Sequence, residues 1–521
     1  MTINRQSDYS LRFNDVAGTA LLNLREQYPN VYFYFFENDY WLYFFDISQQ
    51  YTSDIKCLPI DQNIEIKERK SGEKPDIYLA PEDTILYIGR PSKLLALCKM
   101  PLISSRPNPV IFVSIPILSH SLKFNVWKMP INFKAFTSLC FPFIPYKHFL
   151  KISVGSFKEI FLHAPLYQSK ALKTVLASLA YIFGHFSRVY AVGSFSSDIS
   201  KGFLDICHNS DIPPGRNILI LFDRAIDLQS LMNVDDSYIG ILEELGLWNE
   251  YESRINERKL ANILRISRYS VGKLPISTEN DPLFAKIKLL TLSEASRTVG
   301  FTDFKNTTTE NLIQDHTQVL NALYKRLMEE YFLDLVIKIQ KNQVDAKKFG
   351  RCVPLLDLHD EEDFKRRGMC LSYRMLSSLH YAQNKDATKS IARLLSAKYG
   401  ITSFSKWNQI DEIAVTNEKI APPQKIADIT RSITFIEALF GLILTDEWKR
   451  PKFPYKDSYL STMNYLPNGK FRWFVGIIGG MTSVELSILK KIAEICRPND
   501  EFIFMSTELL SPHEFMDNVF M

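Results

Sequence analysis

The 521-residue chain lacks the residue spacings that would commit it to metal or redox chemistry. Its seven cysteines, at positions 57, 98, 140, 207, 352, 370 and 496, include no Cys-x-x-Cys pair. That argues against a zinc site and a disulfide framework, and for a reducing compartment. The nine histidines are dispersed, and none begins His-Glu-x-x-His. No apolar run approaches the roughly 18 residues of a membrane span. The best candidate, Ile433 to Leu444, is interrupted by Glu437 and flanked by Arg431 and Asp446. The opening MTINRQSDYS has no apolar core of a signal peptide. Charge of one sign is also scarce, since 62 Lys and Arg against 58 Asp and Glu leave a net +4. So even a balance gives no field for nucleic acid. The expectation is a cytosolic, soluble protein with no nucleic-acid partner, no cofactor and no direct membrane insertion.

Enzyme signatures are missing as well. A phosphate-binding Gly-x4-Gly-Lys-Ser/Thr loop does not occur, because Gly272-Lys273 continues with Leu274 and Gly469-Lys470 with Phe471. Gly193-Ser194-Phe195-Ser196 lacks the spacing of a nucleophile elbow. The acidic run HDEED from His359 is followed by Lys365, Arg366 and Arg367 and reads as a solvated face near a helix start. There is no solenoid repeat and no low-complexity segment.

What is present is concentrated at two strand ends. Asn217 to Leu228 reads NILILFDRAIDL, a continuous apolar run of strand character that ends in Asp223-Arg224, with Asp227 four residues on from Asp223. Such a run suits the centre of a parallel sheet. Three charges beside a core are tolerable only when paired and hydrogen-bonded. With one Arg between two carboxylates, the simplest reading is a structural ion pair among Asp223, Arg224 and Asp227. A catalytic or metal-binding carboxylate is the alternative, and no second acidic or His cluster lies near it.

The second strand end is FRWFVGIIGGMTSVE, Phe471 to Glu485. Gly479 and Gly480 permit a tight turn, and Thr482 and Glu485 have the Thr-x-x-Glu spacing of a capping box that opens a helix. A dinucleotide site would need Gly-x-Gly-x-x-Gly, and Gly476, Gly479 and Gly480 do not match it.

Along the chain three zones separate. Over 1–118, runs such as VYFYFFE, WLYFFDI, TILYIG and VIFVSIP alternate with helix-like stretches, which argues a first α/β domain. Over 119–240 the pattern continues through FKEIFLHA, a helix near Ser169–Phe183, RVYAVG and NILILFDR, and residues 466–521 return to it as the rest of a second α/β domain. Between them, 241–465 is mainly helical, divided at 348/349 into two parts. Its clearest signal runs from Thr317 to Lys341, where apolar residues at an i, i+1, i+4, i+5 rhythm draw one stripe opposite Arg326, Glu329, Glu330 and Lys338. The stripe fits a helix packed on its own domain or a groove for another protein's helix, and periodicity does not separate the two.

The Asp-Arg-x-x-Asp turn after an apolar strand, with the strand, Gly-Gly turn and Thr-x-x-Glu helix start near the end, resembles the SM (Sec/Munc-type) family of SNARE chaperones. Ile85–Pro91, Val189–Gly193 and Ile218–Asp227 look like its first- and second-domain strands. Tyr238–Leu245, the His-Thr helix start in Gln314–Leu323, Tyr399-Gly400 and Glu501–Val519 are most similar to the vacuolar class C branch, the SM subunit of HOPS and CORVET tethering complexes. The resemblance implies α/β domains with a large helical insertion in a three-domain arch, and a non-enzymatic protein that holds SNARE helices during vesicle docking and fusion. It implies a site at endosome and vacuole or lysosome membranes, reached through partners. SNARE contact is expected over 283–345 with Glu329 and Glu330, and contact with an α-solenoid subunit at Ile401 and Phe404, which with Trp407 are spaced three apart. The alternatives are an SM branch acting on a Golgi or plasma-membrane syntaxin, and an α/β enzyme using Asp223 or Asp227.

Overall fold

The computed structural model describes residues 8–28, 31–35, 56–59, 84–90, 109–115, 132–139, 141–146, 149–163, 165–209, 214–249, 281–301, 307–329, 331–340, 421–426, 433–447, 458–462 and 470–520, together with isolated positions and short stretches between them. Helix α1 (Asp8–Gln27) precedes β1 (Val31–Phe35), β2 (Lys56–Pro59), β3 (Thr84–Gly89), β4 (Val110–Ser114) and β5 (Phe133–Ser138). These five strands form one sheet in the order β2-β1-β3-β4-β5, and every pairing is parallel. That is a doubly wound order, with its switch point between β1 and β3. The sheet takes in β5 and so extends past residue 118. Within WLYFFDI, Tyr43, Phe44 and Ile47 are helical, not strand. Phe44 packs edge-on to Phe141, and an apolar run alone does not tell a buried helix from a strand.

The chain then enters β6 (Phe143–Tyr146), β7 (Phe149–Ile152), a π-helical segment (Lys158–His163), α2 (Pro165–Phe183), β8 (His185–Val192), α3 (Ser194–His208) and β9 (Pro214–Asp223). FKEIFLHA is therefore largely π-helix. A 3-10 turn (Arg224–Asp227), α4 (Leu228–Met232), α5 (Tyr238–Glu244) and a small hairpin of β10 (Trp248–Asn249) and β11 (Arg254–Ile255) lead into the helical zone. There lie α6 (Pro282–Ile287), α7 (Leu292–Gly300), α8 (Thr307–Glu329) and α9 (Tyr331–Gln340), and later α10 (Phe435–Leu444). The chain closes with β12 (Ser458–Thr462), β13 (Arg472–Ile478), α11 (Ser483–Cys496), β14 (Glu501–Ser506) and α12 (Pro512–Phe520).

The second sheet has seven strands in the order β12-β8-β9-β13-β14-β7-β6. The five inner strands are parallel, and β12 and β6 run antiparallel at its edges. The sequence-distant β13 thus sits beside β9 at the centre, with β14 on its other side. Successive side chains of a strand point to opposite faces, which explains the unbroken apolar run of β9. Leu219 and Leu221 enter a core shared with α1, α2, α3 and the first sheet. Ile218, Ile220 and Phe222 enter the opposite core, against α10 and α11. The Ile433–Leu444 run is this buried α10, opened by a Thr434/Glu437 capping box.

In the helical zone Ile313, Val319, Leu320, Leu323, Leu333 and Val336 enter a core with α5, α6 and α7 that is shared with Val484 of α11 and with Phe515, Met516 and Val519 of α12. At Val319, Leu320, Leu323 and Val336 the stripe therefore faces its own chain, and it falls on two helices, α8 and α9, instead of one. Tyr324, placed on the stripe by spacing, is 37% exposed.

Two glycines give opposite expectations. Gly193 has φ +110, and a Cβ there would lie 2.1 Å from Asp223 Oδ2. Gly193→Ala should cost at least ~2 kcal/mol, read as a lowered Tm, because both the backbone and the neighbour oppose it. Gly300 ends α7 with nothing within 4 Å of its Cβ position. Gly300→Ala should raise stability by roughly 0.5–1 kcal/mol in the same measurement.

Candidate functional site

The two strand-end motifs meet in space. β9 and β13 are adjacent and parallel, with Ile478 opposite Asp223, so both turns leave the same edge of the sheet. Arg224 is fully buried and its guanidinium grips Glu485 in two parallel bonds, Nη1 to Oε1 at 2.9 Å and Nη2 to Oε2 at 2.8 Å. Nε donates to the Gly480 carbonyl at 3.0 Å and Nη1 to the Asp227 carbonyl at 3.1 Å. The ion pair expected among Asp223, Arg224 and Asp227 is thus corrected: the cation's carboxylate partner is Glu485, 261 residues away in sequence. A planar fork fits a carboxylate best when both oxygens are free to accept, and Glu485 offers both.

Each aspartate has other work. Asp223 closes the start of α3, accepting from Phe195 N at 2.9 Å, Ser196 N at 2.7 Å and the Ser196 hydroxyl. Asp227 caps α4 by accepting from Ser230 N at 3.2 Å and Ser230 Oγ at 2.5 Å, and it also accepts from Ile436 N in the first turn of α10 at 3.1 Å. Burial pushes the Asp227 carboxyl above the usual range, while the nearby Arg224 charge and these donors pull against it.

Around the pair the packing is tight. Thr482 and Glu485 close their capping box, with Thr482 N donating to Glu485 Oε2 at 3.0 Å and Glu485 N to Thr482 Oγ1 at 3.1 Å. Gly479 has φ +107, and a Cβ on it would sit 2.7 Å from the Phe161 ring and 3.0 Å from Arg224 Cβ. Phe157 and Phe161 of the π-helical region therefore cover the Gly-Gly turn. In an open α/β sheet, ligands bind in the crevice outside the strand carboxyl ends, against free helix amides. Here the α3 start is filled by Asp223 and the α11 start by Thr482 and Glu485. What such an arrangement can do chemically is lock chain segments together.

A second buried ion pair joins Arg374 Nη1 to Glu244 Oε1 at 2.6 Å. A third polar cluster joins Tyr238, His316 and Asp281, all buried. His316 lies inside α8 and not at a helix start. Sequence reading missed the cluster because its members are far apart in the chain; only the Asp281-Pro282 helix opening is a local signal. At the tip of β3, Arg90 Nη1 pairs with Glu159 Oε2 at 3.1 Å, tying the first sheet to the π-helical segment. Among the described residues no group of three or more His, Cys, Asp or Glu could hold a metal ion. No helix among them is long and apolar enough to cross a membrane. Of the residues expected to meet partners, Glu330, Ile401 and Phe404 lie outside the described residues, and Glu329 is the last residue of α8.

No protein-family model matches the chain, and no curated protein matches it in sequence. Solved structures do match its fold. The SM protein Vps45 aligns with a TM-score of 0.52 at 13% identity, over 97% of this chain and 96% of that one. Vps45 in complex with the Qa SNARE Tlg2 aligns with a TM-score of 0.53 at 12% identity, over 97% of each chain. The Unc18–syntaxin 1 complex from Monosiga brevicollis gives a TM-score of 0.50 at 11% identity, over 97% of this chain and 99% of that one. The fold is the Sec/Munc-type fold, α/β with a large helical insertion, across nearly the whole chain.

Removing one partner of the buried pair leaves the other charge uncompensated, which costs on the order of 3–5 kcal/mol. Arg224→Met and Glu485→Leu should each lower Tm strongly and cut soluble yield. The double variant should lose less than the sum of the two, because no lone charge remains. Additive losses in a thermal-melt cycle would show that the pair is not a unit.

Proposed function

We propose that this chain is an SM-type SNARE-binding protein that regulates vesicle docking and membrane fusion, and that it acts without enzymatic chemistry. The observation that carries this reading is the end-to-end likeness in fold to SM proteins, two of them solved with a Qa SNARE or a syntaxin. Site geometry supports it, since the strand-end crevice of the second sheet is closed by protein side chains. The division into 1–118, 119–240 with 466–521, and 241–465 belongs to the same reading, with the sheet of the first unit carried on to β5.

The SNARE-facing element of this reading is α8. Its inner face is buried, and its outer face shows Asn311, Gln314, Gln318, Asn321 and Lys325 at spacings of three and four, beside the part-exposed Tyr324. Carboxamides both donate and accept, so they suit a polar helix surface whose register must be read. Glu329 is the last residue of this helix, and Glu330 is the next in sequence. For the vacuolar class C branch, the motif resemblances at Tyr238–Leu245 and Glu501–Val519 supply the support, and with them a HOPS- or CORVET-type solenoid partner at Ile401 and Phe404. Work at endosome and vacuole membranes follows from that branch.

Affinity purification of the full chain from its own cells tests the reading. A solenoid subunit together with SNAREs is the expected result. A lone syntaxin would move the chain to a Golgi or plasma-membrane branch, and absence of any SNARE would sink the proposal. Charge insertion on the outer face, Gln318→Glu with Asn321→Glu, should weaken SNARE retention at least tenfold with Tm unchanged; reversal at Glu329 and Glu330 should act in the same direction. Phe404→Asp or Ile401→Lys should abolish co-purification of the solenoid subunit while circular dichroism stays that of the parent. An unfolded variant would instead make that residue part of the core.

A further inference from the structure

The start of α5, the cap of α6 and the middle of α8 converge on one imidazole. Tyr238 Oη lies 3.1 Å from His316 Nδ1, and His316 Nε2 lies 2.9 Å from Asp281 Oδ2. Asp281 uses its other oxygen, Oδ1, to accept from Phe284 N at 2.8 Å, which caps α6. His316 and Tyr238 are 0% exposed and Asp281 1%. The ring of Phe284 stacks on His316 with planes 4° apart, and Tyr238 stands edge-on to both. A tyrosine hydroxyl gives its proton to the acceptor nitrogen, and the other ring nitrogen must then carry the proton that meets the carboxylate. Donation therefore runs from Tyr238 Oη to His316 Nδ1 and from His316 Nε2 to Asp281 Oδ2, while the Phe284 amide of α6 donates to the other oxygen of the same carboxylate. Burial pushes the Tyr238 hydroxyl well above its usual pKa, with the Asp281 charge adding to it, so it stays a donor.

Such a relay holds α8 by something apolar packing does not supply. A stripe of Leu, Val and Ile tolerates small rotations about the helix axis, whereas two hydrogen bonds through one ring allow a single setting. The ring sits at position 316, between the outward-facing Gln314 and Gln318 on the same helix. Any rotation that frees the ring re-aims those amides. The other end of the device is the buried strand-end pair. Glu243, on α5 with Tyr238, accepts from Ser483 N at 2.7 Å, in the first turn of the helix that carries Glu485. Tyr238 N and Ile239 N also donate to the Leu290 and Lys288 carbonyls, fixing α5 to the loop after α6.

We propose that Tyr238, His316 and Asp281 are positioning residues that set the rotation of α8, and through it the aim of the amide face from Asn311 to Lys325, with α5 linking that setting to the Arg224–Glu485 pair. The assignment rests on the SNARE-binding reading for its purpose, but not for its geometry.

Hydrogen exchange read by mass spectrometry on the full chain separates the two. Tyr238→Phe keeps the ring and removes the hydroxyl; His316→Leu removes both bonds; His316→Gln retains one acceptor and one donor. In Tyr238→Phe and His316→Leu, amides over 312–323 should exchange at least tenfold faster, while β9 and β13 keep parental rates. His316→Gln should restore most of the protection. Unchanged exchange over 312–323, or an equal rise throughout the protein, would overturn the proposal. SNARE retention, measured with the SNARE cytoplasmic segment that the parent protein captures, should fall about tenfold in Tyr238→Phe. Faster α8 exchange with full SNARE retention would also overturn it. If the parent captures no SNARE, the functional reading fails, and the exchange rates alone decide whether the relay sets α8.

Discussion

The bidentate bond between Arg224 and Glu485 is the constraint on which the rest of the fold hangs. It joins the end of β9 to the first turn of α11 across 261 residues of sequence, through side chains that are 0% and 4% exposed. Bringing those residues together requires the whole helical zone to leave the second sheet and return to it. A buried pair of this kind gains little net energy against desolvation, but it penalises every arrangement in which one charge is buried alone. Its four donor contacts, to two carboxylate oxygens and two carbonyls, leave only the second Nη2 hydrogen of Arg224 unassigned and specify one register between strand and helix. The neighbouring Asp227 extends the tie to a third region, since it holds the amide at the start of α10 as well as the cap of α4.

The same geometry explains how a doubly wound α/β fold can serve as a scaffold. The first sheet has its switch point at the β1/β3 ends, and Arg90, just past β3, is paired to Glu159. In the second sheet the strand ends are occupied by Asp223 on the α3 amides and by Glu485 in its own capping box. Both positions are where an α/β enzyme would present free amides or a cation to a ligand. Here the protein's own carboxylates are those ligands. The charges that first suggested a catalytic strand tip are consumed in holding α3, α4, α10 and α11 to the sheet.

Local signals in the sequence were readable because their physics is local. The Thr482–Glu485 box, the Gly-Gly turn and the two-faced burial of β9 follow from spacings of a few residues, and each takes that form in the structure. The partner of Arg224 was not readable. Asp223 and Asp227 are near in sequence, but a strand tip, a 3-10 turn and an incoming helix turn their carboxylates toward amides, and only the sheet order brings Glu485 within reach. The stripe on α8 was legible as apolar while its direction was not, because a helix buries the same pattern against its own chain or another's. His316 drew notice only as part of a His-Thr helix start, and nothing local told of its burial, because its partners Tyr238 and Asp281 arrive from other elements. WLYFFDI failed for a different reason, since aromatic runs satisfy the burial demands of helix and strand alike.

Considered together, the polar groups in the interior form a chain of orientation and not a set of isolated bonds. Glu485 fixes Arg224 at the sheet, Ser483 two residues earlier is held by Glu243, and Tyr238 on the same short helix as Glu243 holds His316. Each step crosses from one element to another through a group that would be costly to leave unpaired in the interior. Apolar packing supplies most of the stability of such a molecule, but it is indifferent to small slides and rotations. Directional bonds at a few buried points remove that indifference. On the SNARE-binding proposal a helix face must be presented at one angle, and the placement of these bonds, running from sheet to insertion, meets that requirement.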